Sequence, residues 1–457
     1  MTTKFFPHYD LIVIGSGPAG QRAAVQAAKI EKKVLVIEKE KIGGSCVHLG
    51  TIPSKTMREA AILGDKVKNG SLLPVMKRKN DVIANETKII RNQLERNGVH
   101  FAEGSASFLS PHEIEIRNGK KTQTVKGEKI FIAVGTTPSQ STDYVFDHTS
   151  IFDSDSILAL KKAPKSILIV GAGVIGCEYA SIFAKLGVKV TLVDRRKELL
   201  RSVDDEIVEH LKAQFALSKI ALHLGSEMSP LVKNKKTKQL EITIDKKKKK
   251  IEAALICLGR EGNTKSLGLE KVGILAEPRG LLKVNAQYQT TASHIYAVGD
   301  VIGAPALAAS SSEQGRLAAC YAFGVECDPF PDSFPYGIYT IPEISTVGLH
   351  ERDLLEKKIP YVVGRAKYKE LARGQILQDE SGFLKLLFHK ETHVLLGIHI
   401  IGSGATELVH IGQVAFAHQA KVEFFLKNVF NYPTLAEAYK VAAYNAMNHI
   451  LGQKSSS

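Results

Sequence analysis

Three groups of residues in this chain carry recognisable chemistry. Gly15, Gly17 and Gly20 form a G-x-G-x-x-G triplet, and Glu38 follows it. Gly171, Gly173 and Gly176 repeat the triplet, followed by Asp194, Arg195 and Arg196. Between them runs Gly43-Gly44-Ser45-Cys46-Val47-His48-Leu49-Gly50-Thr51-Ile52-Pro53-Ser54-Lys55, which sets a thiol and an amine in a glycine-rich segment. In such a triplet the first glycine makes a tight turn, the second lets a pyrophosphate approach the backbone, and the third packs helix against strand. The helix that follows offers free N–H groups and a positive dipole end to phosphate. The acid beyond accepts hydrogen bonds from a ribose hydroxyl. Asp194 favours the unphosphorylated ribose of NAD. Arg195 and Arg196 suit the 2′-phosphate of NADP, and read equally well as solvated turn residues. Two such sites in one chain imply one resident dinucleotide and one that exchanges.

A lone triplet is weak evidence, so its setting matters. The pattern predicts a strand over 10–14, a helix over 21–29 and a strand over 34–37, with the acid at the end of the second strand. The second triplet has the same frame: strand over 166–170, helix over 177–186, strand over 188–193. A helical stretch is expected over 53–96 and strand pieces over 99–108. From Asp328 the composition turns to proline and aromatics, as a linker does. Strands over 361–363, 384–388 and 395–401 follow, then helices over 405–420 and 435–451. The fold class expected is α/β: two Rossmann-like dinucleotide-binding domains and a C-terminal α+β domain. The first dinucleotide-binding domain takes 1–150 and 283–330, the second 151–282, and the α+β domain 331–457.

Composition excludes several classes. With 44% hydrophobic and 24% charged residues in 457, the chain has the makings of ordinary packed cores. No apolar run reaches the ~18–20 residues needed to span a bilayer. The opening MTTKFFPHYD has no signal-peptide core, so a cytoplasmic location is expected. The net charge of +14 raises the question of nucleic acid. Much of that excess lies between Lys233 and Lys250, around the alternating run 239–244, where a solvated hairpin accounts for it without a polymer partner. The odd cysteine count fits no zinc spacing, and no metal is expected. Cys177 and Cys257 lie in apolar segments and read as core. Cys320 and Cys327 stay uninterpreted at this level.

The Gly43–Lys55 run resembles the redox segment of the flavoprotein disulfide reductases, G-G-T-C-x-x-x-G-C-x-P-S-K. Ile132-Ala133-Val134-Gly135-Thr136-Thr137-Pro138, Gly259-Arg260-Glu261-Gly262-Asn263-Thr264 and Tyr296-Ala297-Val298-Gly299-Asp300 resemble further segments of that family, so the likeness covers nearly the whole chain. It implies FAD on the first triplet, with Glu38, Gly43, Gly44, Ser45, Cys46, Gly135 and Asp300 around it. It implies NAD or NADP on the second, with Gly259 nearby. It also implies Lys55 near flavin N5, paired with Glu178 as catalytic residues. A cation there stabilises negative charge on the ring. The segment from Ala306-Leu307-Ala308 is expected to open a helix toward the flavin.

Two departures bear on the reaction. Thr51 stands where the family has its second cysteine, and a hydroxyl forms no disulfide. Tyr432-Pro433-Thr434-Leu435-Ala436-Glu437 stands where the family has His-Pro-Thr-x-x-Glu, and a phenol titrating near ~10 does not replace an imidazole at neutral pH. With the disulfide machinery incomplete and both nucleotide sites present, what remains is hydride in and hydride out. The single-cysteine G-T-I-P-S-K stretch and the Phe430–Tyr439 ending are similar to the family's soluble pyridine nucleotide transhydrogenase branch. That branch implies FAD-dependent exchange between NADPH and NAD⁺ in a homo-oligomer, with no nucleic acid or membrane partner. Cys46 then reads as a packing residue beside the flavin, ahead of a sulfenate or mixed-disulfide role for a lone thiol, His48 and His418 as structural, and Glu437 as an interface residue. The competing readings are an NAD(P)H oxidase or diaphorase on the same fold, and a flavin-bound interaction subunit without turnover.

Overall fold

The computed structural model describes residues 8–64, 70–141, 143–234, 236–237 and 239–452. Within the lysine-rich stretch, Lys235 and Lys238 lie outside the described residues. The chain divides into two compact units. One comprises Met1–His148, Phe152–Lys162 and Leu258–Phe330; the other Thr149–Ile151, Ala163–Cys257 and Pro331–Ser457. The chain thus returns to the first unit at Leu258, ahead of Lys283. The reason is local: Arg260–Gly262 pairs antiparallel with Thr136–Pro138 in that unit.

The first unit is built on a sheet whose parallel strands lie in the order His100–Glu103, Val34–Glu38, His8–Ile14, Lys121–Ile132, Ile295–Ala297. Leu11, Ile12, Val13 and Ile14 are all buried, as expected of a parallel strand covered on both faces. From His8–Ile14 the chain moves first to one side and later to the other. That reversal opens a crevice at the strand's carboxyl end, where ligands of open α/β sheets bind. Ser105–Ser110 and Glu113–Asn118 extend the sheet as an antiparallel meander. The helices Pro18–Lys29 and Ala308–Ala322 pack so closely that a Cβ at Gly315 would lie 2.1 Å from the Ala19 carbonyl oxygen. The helical stretch expected over 53–96 is two helices, Thr51–Ile62 and Leu73–Arg96. Gly64, at φ +69°, leaves the helical region, and Pro74 sits in the first turn of the second helix, where its missing N–H costs nothing.

The second unit has two sheets of different kinds. Ala221–Leu224, Lys189–Asp194, Ser166–Val170 and Ala253–Ile256 form a parallel sheet in that order. The hairpin Leu240–Ile244 and Lys247–Ile251 lies beside it in sequence, with Leu240, Ile242 and Ile244 inward and most of the lysines in solvent. The carboxy-terminal sheet is antiparallel, in the order Tyr336–Ile338, Ile344–Gly348, Leu395–Ile401, Phe383–His389, Tyr361–Lys367. Helices Ala405–Ala417, Val422–Lys427 and Glu437–Ile450 share a core with it around Leu386, Ile398, Val409, Phe425 and Tyr439. No helix of the described residues is long and apolar enough to cross a membrane.

A buried charge cluster joins the Asp205–Leu217 helix to this carboxy-terminal sheet. Lys385 is fully buried, its Nζ 2.8 Å from Asp204 Oδ1, 3.0 Å from Glu206 Oε2 and bonded to Glu351. Burying an unpaired ammonium costs several kcal/mol, so these carboxylates are what lets it stay. Asp204 also caps its helix by accepting from the Glu206 N–H. Asp204, His350 and His399 approach one another, as do Asp204, Glu206 and Glu351, but the Lys385 ammonium already serves as the cation among these acids.

His399 is the titratable weak point. Its Nε2 lies 3.0 Å from the Leu349 carbonyl, which can only accept, so Nε2 carries the proton and Nδ1 accepts from the Thr346 hydroxyl at 2.6 Å. Burial holds its pKa down to about 3. The unfolded chain takes up a proton below the ordinary value of ~6.5 while the folded chain does not, so this contribution to stability is whole above ~6.5 and drains as pH falls toward 3. Lowering the pH from about 7 to about 5 is expected to cost on the order of 2 kcal/mol through this one group. His399→Gln, whose amide can donate to Leu349 and accept from Thr346, should flatten that part of a denaturant-unfolding pH profile. An unchanged acid limb would assign the loss elsewhere.

Candidate functional site

The two triplets have matching backbone geometry. Gly15 and Gly171 both have φ +106°. A Cβ on Gly15 would lie 2.3 Å from the Ala133 carbonyl oxygen, and one on Gly171 the same distance from that of Cys257. A Cβ on Gly20 would meet the Gly15 oxygen at 2.0 Å, and one on Gly176 the Gly171 oxygen at 1.9 Å. These four glycines are required by what already surrounds them. Gly17 and Gly173 differ: nothing lies within 4 Å of where their Cβ would be. Each is the N-cap of its helix, Pro18–Lys29 or Val174–Lys185, and neither cap makes a side-chain hydrogen bond to the helix. The first-turn N–H groups therefore face an open cradle, the arrangement a pyrophosphate uses.

In the first unit the cradle has a floor. Gly44, at φ +62°, approaches so closely that a Cβ there would lie 2.9 Å from Gly17 Cα. Ser16, which sequence reasoning passed over as a variable position of the triplet, joins the parts. Its N–H and hydroxyl both donate to Glu38 Oε2, at 2.9 and 2.7 Å, and its hydroxyl accepts from the Gly43 N–H at 3.0 Å. Glu38 Oε1 accepts from the Glu40 N–H. The acid is thereby fixed at the strand end with one acceptor site, on Oε1, left for a ribose. Asp300 follows strand Ile295–Ala297, near the N-terminus of Ala308–Ala322, the helix expected after Ala306. Ser311 Oγ donates to Asp300 Oδ1 at 3.3 Å and Thr136 Oγ1 lies 3.5 Å from Oδ2. Thr136 is in turn held by Arg260, through Nε to its hydroxyl and Nη2 to its carbonyl, both at 2.8 Å. Gly135 lies in an open left-handed turn, its carbonyl accepting from the Asn263 N–H at 3.1 Å. The structure thus gathers Gly15, Gly17, Gly20, Glu38, Gly43, Gly44 and their neighbours Ser45 and Cys46 into one unit with Gly135 and Asp300. These residues fit an extended dinucleotide such as FAD. Gly259, expected with the second nucleotide, also belongs to the first unit, at φ +107° against Arg279.

Cys46 lies in the short helix Gly44–His48 and Thr51 opens the next one. The Thr51 side chain lies beside the thiol, so a threonine stands where a second sulfur would pair with it. Burial pushes the Cys46 thiol pKa up, and the nearby Thr51 side chain only partly offsets this. All five cysteines are free thiols. Lys55 lies half-buried on Thr51–Ile62. His48 Nε2 bonds to the Ile42 carbonyl, which gives it a structural place.

In the second unit Ala172 stands in the place of Ser16, and the acid is held differently. Asp194 Oδ2 accepts from the Ala172 N–H at 2.8 Å and from Arg196 Nη2 at 2.9 Å. Oδ1 accepts from Arg196 N–H at 2.8 Å and Nε at 3.2 Å. Burial opposes ionisation of Asp194, but the Arg196 bonds outweigh it and hold the carboxyl below its ordinary pKa. The acid's hydrogen-bonding capacity is filled and its charge offset. Arg195 instead lines a cavity of about 400 Å³ with Gly225, Ser226, Glu227 and Met228. That loop is tied to the acid's strand end by Ser226 N–H to Asp194 carbonyl and Gly225 N–H to Arg196 carbonyl. The two arginines therefore have separate tasks, which adjacency in sequence did not reveal. Glu178 is buried on Val174–Lys185, with Oε1 accepting from the Tyr339 N–H at 2.9 Å. Tyr432 is exposed ahead of the last helix, and Glu437 Oε2 is a buried oxygen without a hydrogen-bond partner among the described residues.

Residues 9–315 match the family described as pyridine nucleotide-disulphide oxidoreductase, and residues 334–443 match its dimerisation domain. A soluble pyridine nucleotide transhydrogenase of Mycobacterium bovis is 44% identical, over 96% of this chain and 97% of its own length. One from Yersinia enterocolitica is 42% identical, over 97% and 99%. Among solved structures, LpdA of Mycobacterium tuberculosis superposes with a TM-score of 0.88 at 26% identity, covering 95% of this chain and 99% of LpdA. The Cu(II) complex of the HOCl-induced flavoprotein disulfide reductase RclA of Escherichia coli gives 0.90 at 25%, covering 96% and 99%.

The cradle geometry separates two glycine variants of the first triplet. Gly17→Ala places its methyl in open space and should keep the melting temperature of the apoprotein, while flavin affinity falls by at least about tenfold, near 1.4 kcal/mol. Gly20→Ala drives a methyl into a backbone carbonyl and should cost about 1–3 kcal/mol of stability. Flavin content and thermal unfolding of both proteins check this; equal behaviour of the two would refute the assignment of Gly17 to the ligand.

Proposed function

We infer the reaction of this chain from its kinship: it belongs to the pyridine nucleotide-disulphide oxidoreductase family, and it carries out NAD(P)H-linked hydride transfer through FAD. When bound, FAD supplies a ring that takes a hydride from one nicotinamide and gives it to another. Our proposal is that both partners are nucleotides, NADPH and NAD⁺, so that the protein exchanges hydride between the two pools. The observation that carries this is Thr51 beside Cys46. A reductase of disulfide substrates needs a sulfur pair to relay electrons, and the hydroxyl at this spot removes it. The names of the curated relatives support the same reading.

The chain's own residues have positioning tasks. Gly17 and Gly44 admit the pyrophosphate of FAD to the Pro18–Lys29 N-terminus, Glu38 takes a ribose hydroxyl, and Asp300 takes the flavin's ribityl or phosphate region. Lys55 and Glu178 keep the catalytic roles that family resemblance implies, with Lys55 as the cation that stabilises negative charge on the ring. Gly173 admits the nicotinamide nucleotide to the second cradle. Arg195 faces its 2′-phosphate when NADP is bound, while Arg196 offsets the Asp194 charge that would repel that phosphate. Hydride passes only at near contact, so alignment is the main contribution of the protein. The dimerisation domain makes the working form a homo-oligomer, and the exposed apolar side chains Val414, Phe424, Val429, Tyr444 and Leu451 suit such an interface. A cytoplasmic location completes the proposal.

The deciding measurement mixes the holoprotein anaerobically with NADPH, then with NAD⁺, while the visible flavin absorbance is followed. NADPH should bleach it and NAD⁺ restore it rapidly. Air should restore it slowly. Faster recovery with oxygen than with NAD⁺ would favour an oxidase, and turnover of a disulfide substrate would overturn the proposal. In the same assay Arg195→Ala should raise KM for NADPH about 10–100-fold, the worth of a lost charge-assisted hydrogen bond, while KM for NADH changes far less.

A further inference from the structure

The lysine-rich hairpin turns beside the cavity that Arg195 lines. Its two turn residues, Asp245 and Lys246, take φ +46° and +66°, as a two-residue hairpin turn requires. From that turn Asp245 reaches across to the 225–228 loop. Its Oδ2 accepts from the Ser226 hydroxyl at 2.8 Å and its Oδ1 from the Glu227 N–H at 3.2 Å. Its own N–H donates to the Glu227 carbonyl at 3.2 Å. Next to these ties Ile244 bridges Met228, and the Ser229 N–H donates to the Thr243 carbonyl at 3.0 Å. The Thr243 N–H donates in return to the Ser229 hydroxyl at 2.9 Å. On the strand before the loop, His223 Nε2 accepts from Lys249 Nζ at 2.9 Å, which leaves the imidazole proton on Nδ1, 3.6 Å from Asp245 Oδ2.

We propose that Asp245 is a positioning residue for nucleotide choice: through the 225–228 loop it shapes the cavity that Arg195 offers to the 2′-phosphate of NADP. This rests on the reading of Arg195 given above. The loop is held from two sides. On one, the Ser226 N–H donates to the Asp194 carbonyl, and the Lys197 side chain crosses Gly225 2.9 Å from where a Cβ would stand. On the other, the hairpin turn holds it through Asp245. The hairpin, marked in the sequence by its lysines alone, thereby supports one wall of the nucleotide site.

Glu227 is what makes the clamp selective. It lines the same cavity as Arg195, so an anion and a cation share a space of about 400 Å³. A phosphate entering there is drawn by the guanidinium and repelled by the carboxylate. Asp245 grips both backbone polar groups of Glu227, and so limits where that carboxylate can move. Without the clamp the acid is free to swing onto Arg195 and take the phosphate's place. NAD carries a hydroxyl where NADP carries this phosphate, so its binding depends far less on the loop.

The test is calorimetric titration of the FAD-loaded protein with NADP⁺ and with NAD⁺, which bind without turnover. Asp245→Gly suits the positive φ and keeps the turn while removing the carboxylate. It should weaken NADP⁺ binding about 3–10-fold, the worth of one or two ordinary hydrogen bonds, and leave NAD⁺ within about twofold. Asp245→Asn, whose amide can accept from Glu227 and donate to the Ser226 oxygen, should restore NADP⁺ binding to within about twofold. In an Arg195→Ala background Asp245→Gly should add less than about twofold, because both changes act on one cavity. If the glycine variant does not fold, Ser226→Ala removes one of the same bonds from the loop side and must show the same selective loss. Equal losses for the two nucleotides, or none, while Arg195→Ala alone weakens NADP⁺, would overturn the inference and leave the Arg195 assignment standing. An Arg195→Ala protein that binds NADP⁺ normally removes the premise, and the inference falls with it.

Discussion

Everything in both cradles depends on one steric constraint, the contact of a carbonyl oxygen with a glycine Cα at the end of a central strand. Ala133 presses on Gly15 and Cys257 on Gly171, and the oxygens of those glycines press on Gly20 and Gly176. Strand, turn and helix are thereby locked together with no side chain between them. The helix axis is then fixed relative to the strand, and its first N–H groups point to a spot left empty because Gly17 and Gly173 add nothing to it. A phosphate at a helix start of this kind is held by backbone packing more than by charged side chains.

The two sites share this scaffold and diverge in how the acid is held. Ser16 is buried and grips Glu38 with a short, neutral side chain. Ala172 has no hydroxyl, and the long, exposed Arg196 does the holding instead. Neutral donors leave a negative charge for ribose hydroxyls, whereas a guanidinium cancels it. That contrast agrees with a resident flavin on one side and nucleotides with and without a 2′-phosphate on the other.

Much of this was legible in the residues. The glycine triplets, the acids after them and the substitution of Thr51 have meaning at fixed spacing, because the backbone geometry they serve is local. The hairpin around Lys246–Lys250 was readable from its alternation for the same reason. What could not be read rests on contacts between distant segments. Arg260 holds Thr136, and through it Asp300, across more than a hundred residues of chain. The division of labour between Arg195 and Arg196 depends on where the 225–228 loop runs. The break in the helical stretch 53–96 was overlooked although Gly64, Asn69-Gly70 and Pro74 stand in the sequence as its signals.

The lysine-rich strand Lys247–Ile251 has one more consequence. It is the outermost of its three-stranded sheet, so its outer backbone groups have no ladder partner in that sheet. A bare edge of this kind is a template on which another chain can add a strand and begin to aggregate. Consecutive ammonium groups along it repel any similar edge. A large part of the net positive charge of this protein can thus be understood as what keeps crowded copies of it apart.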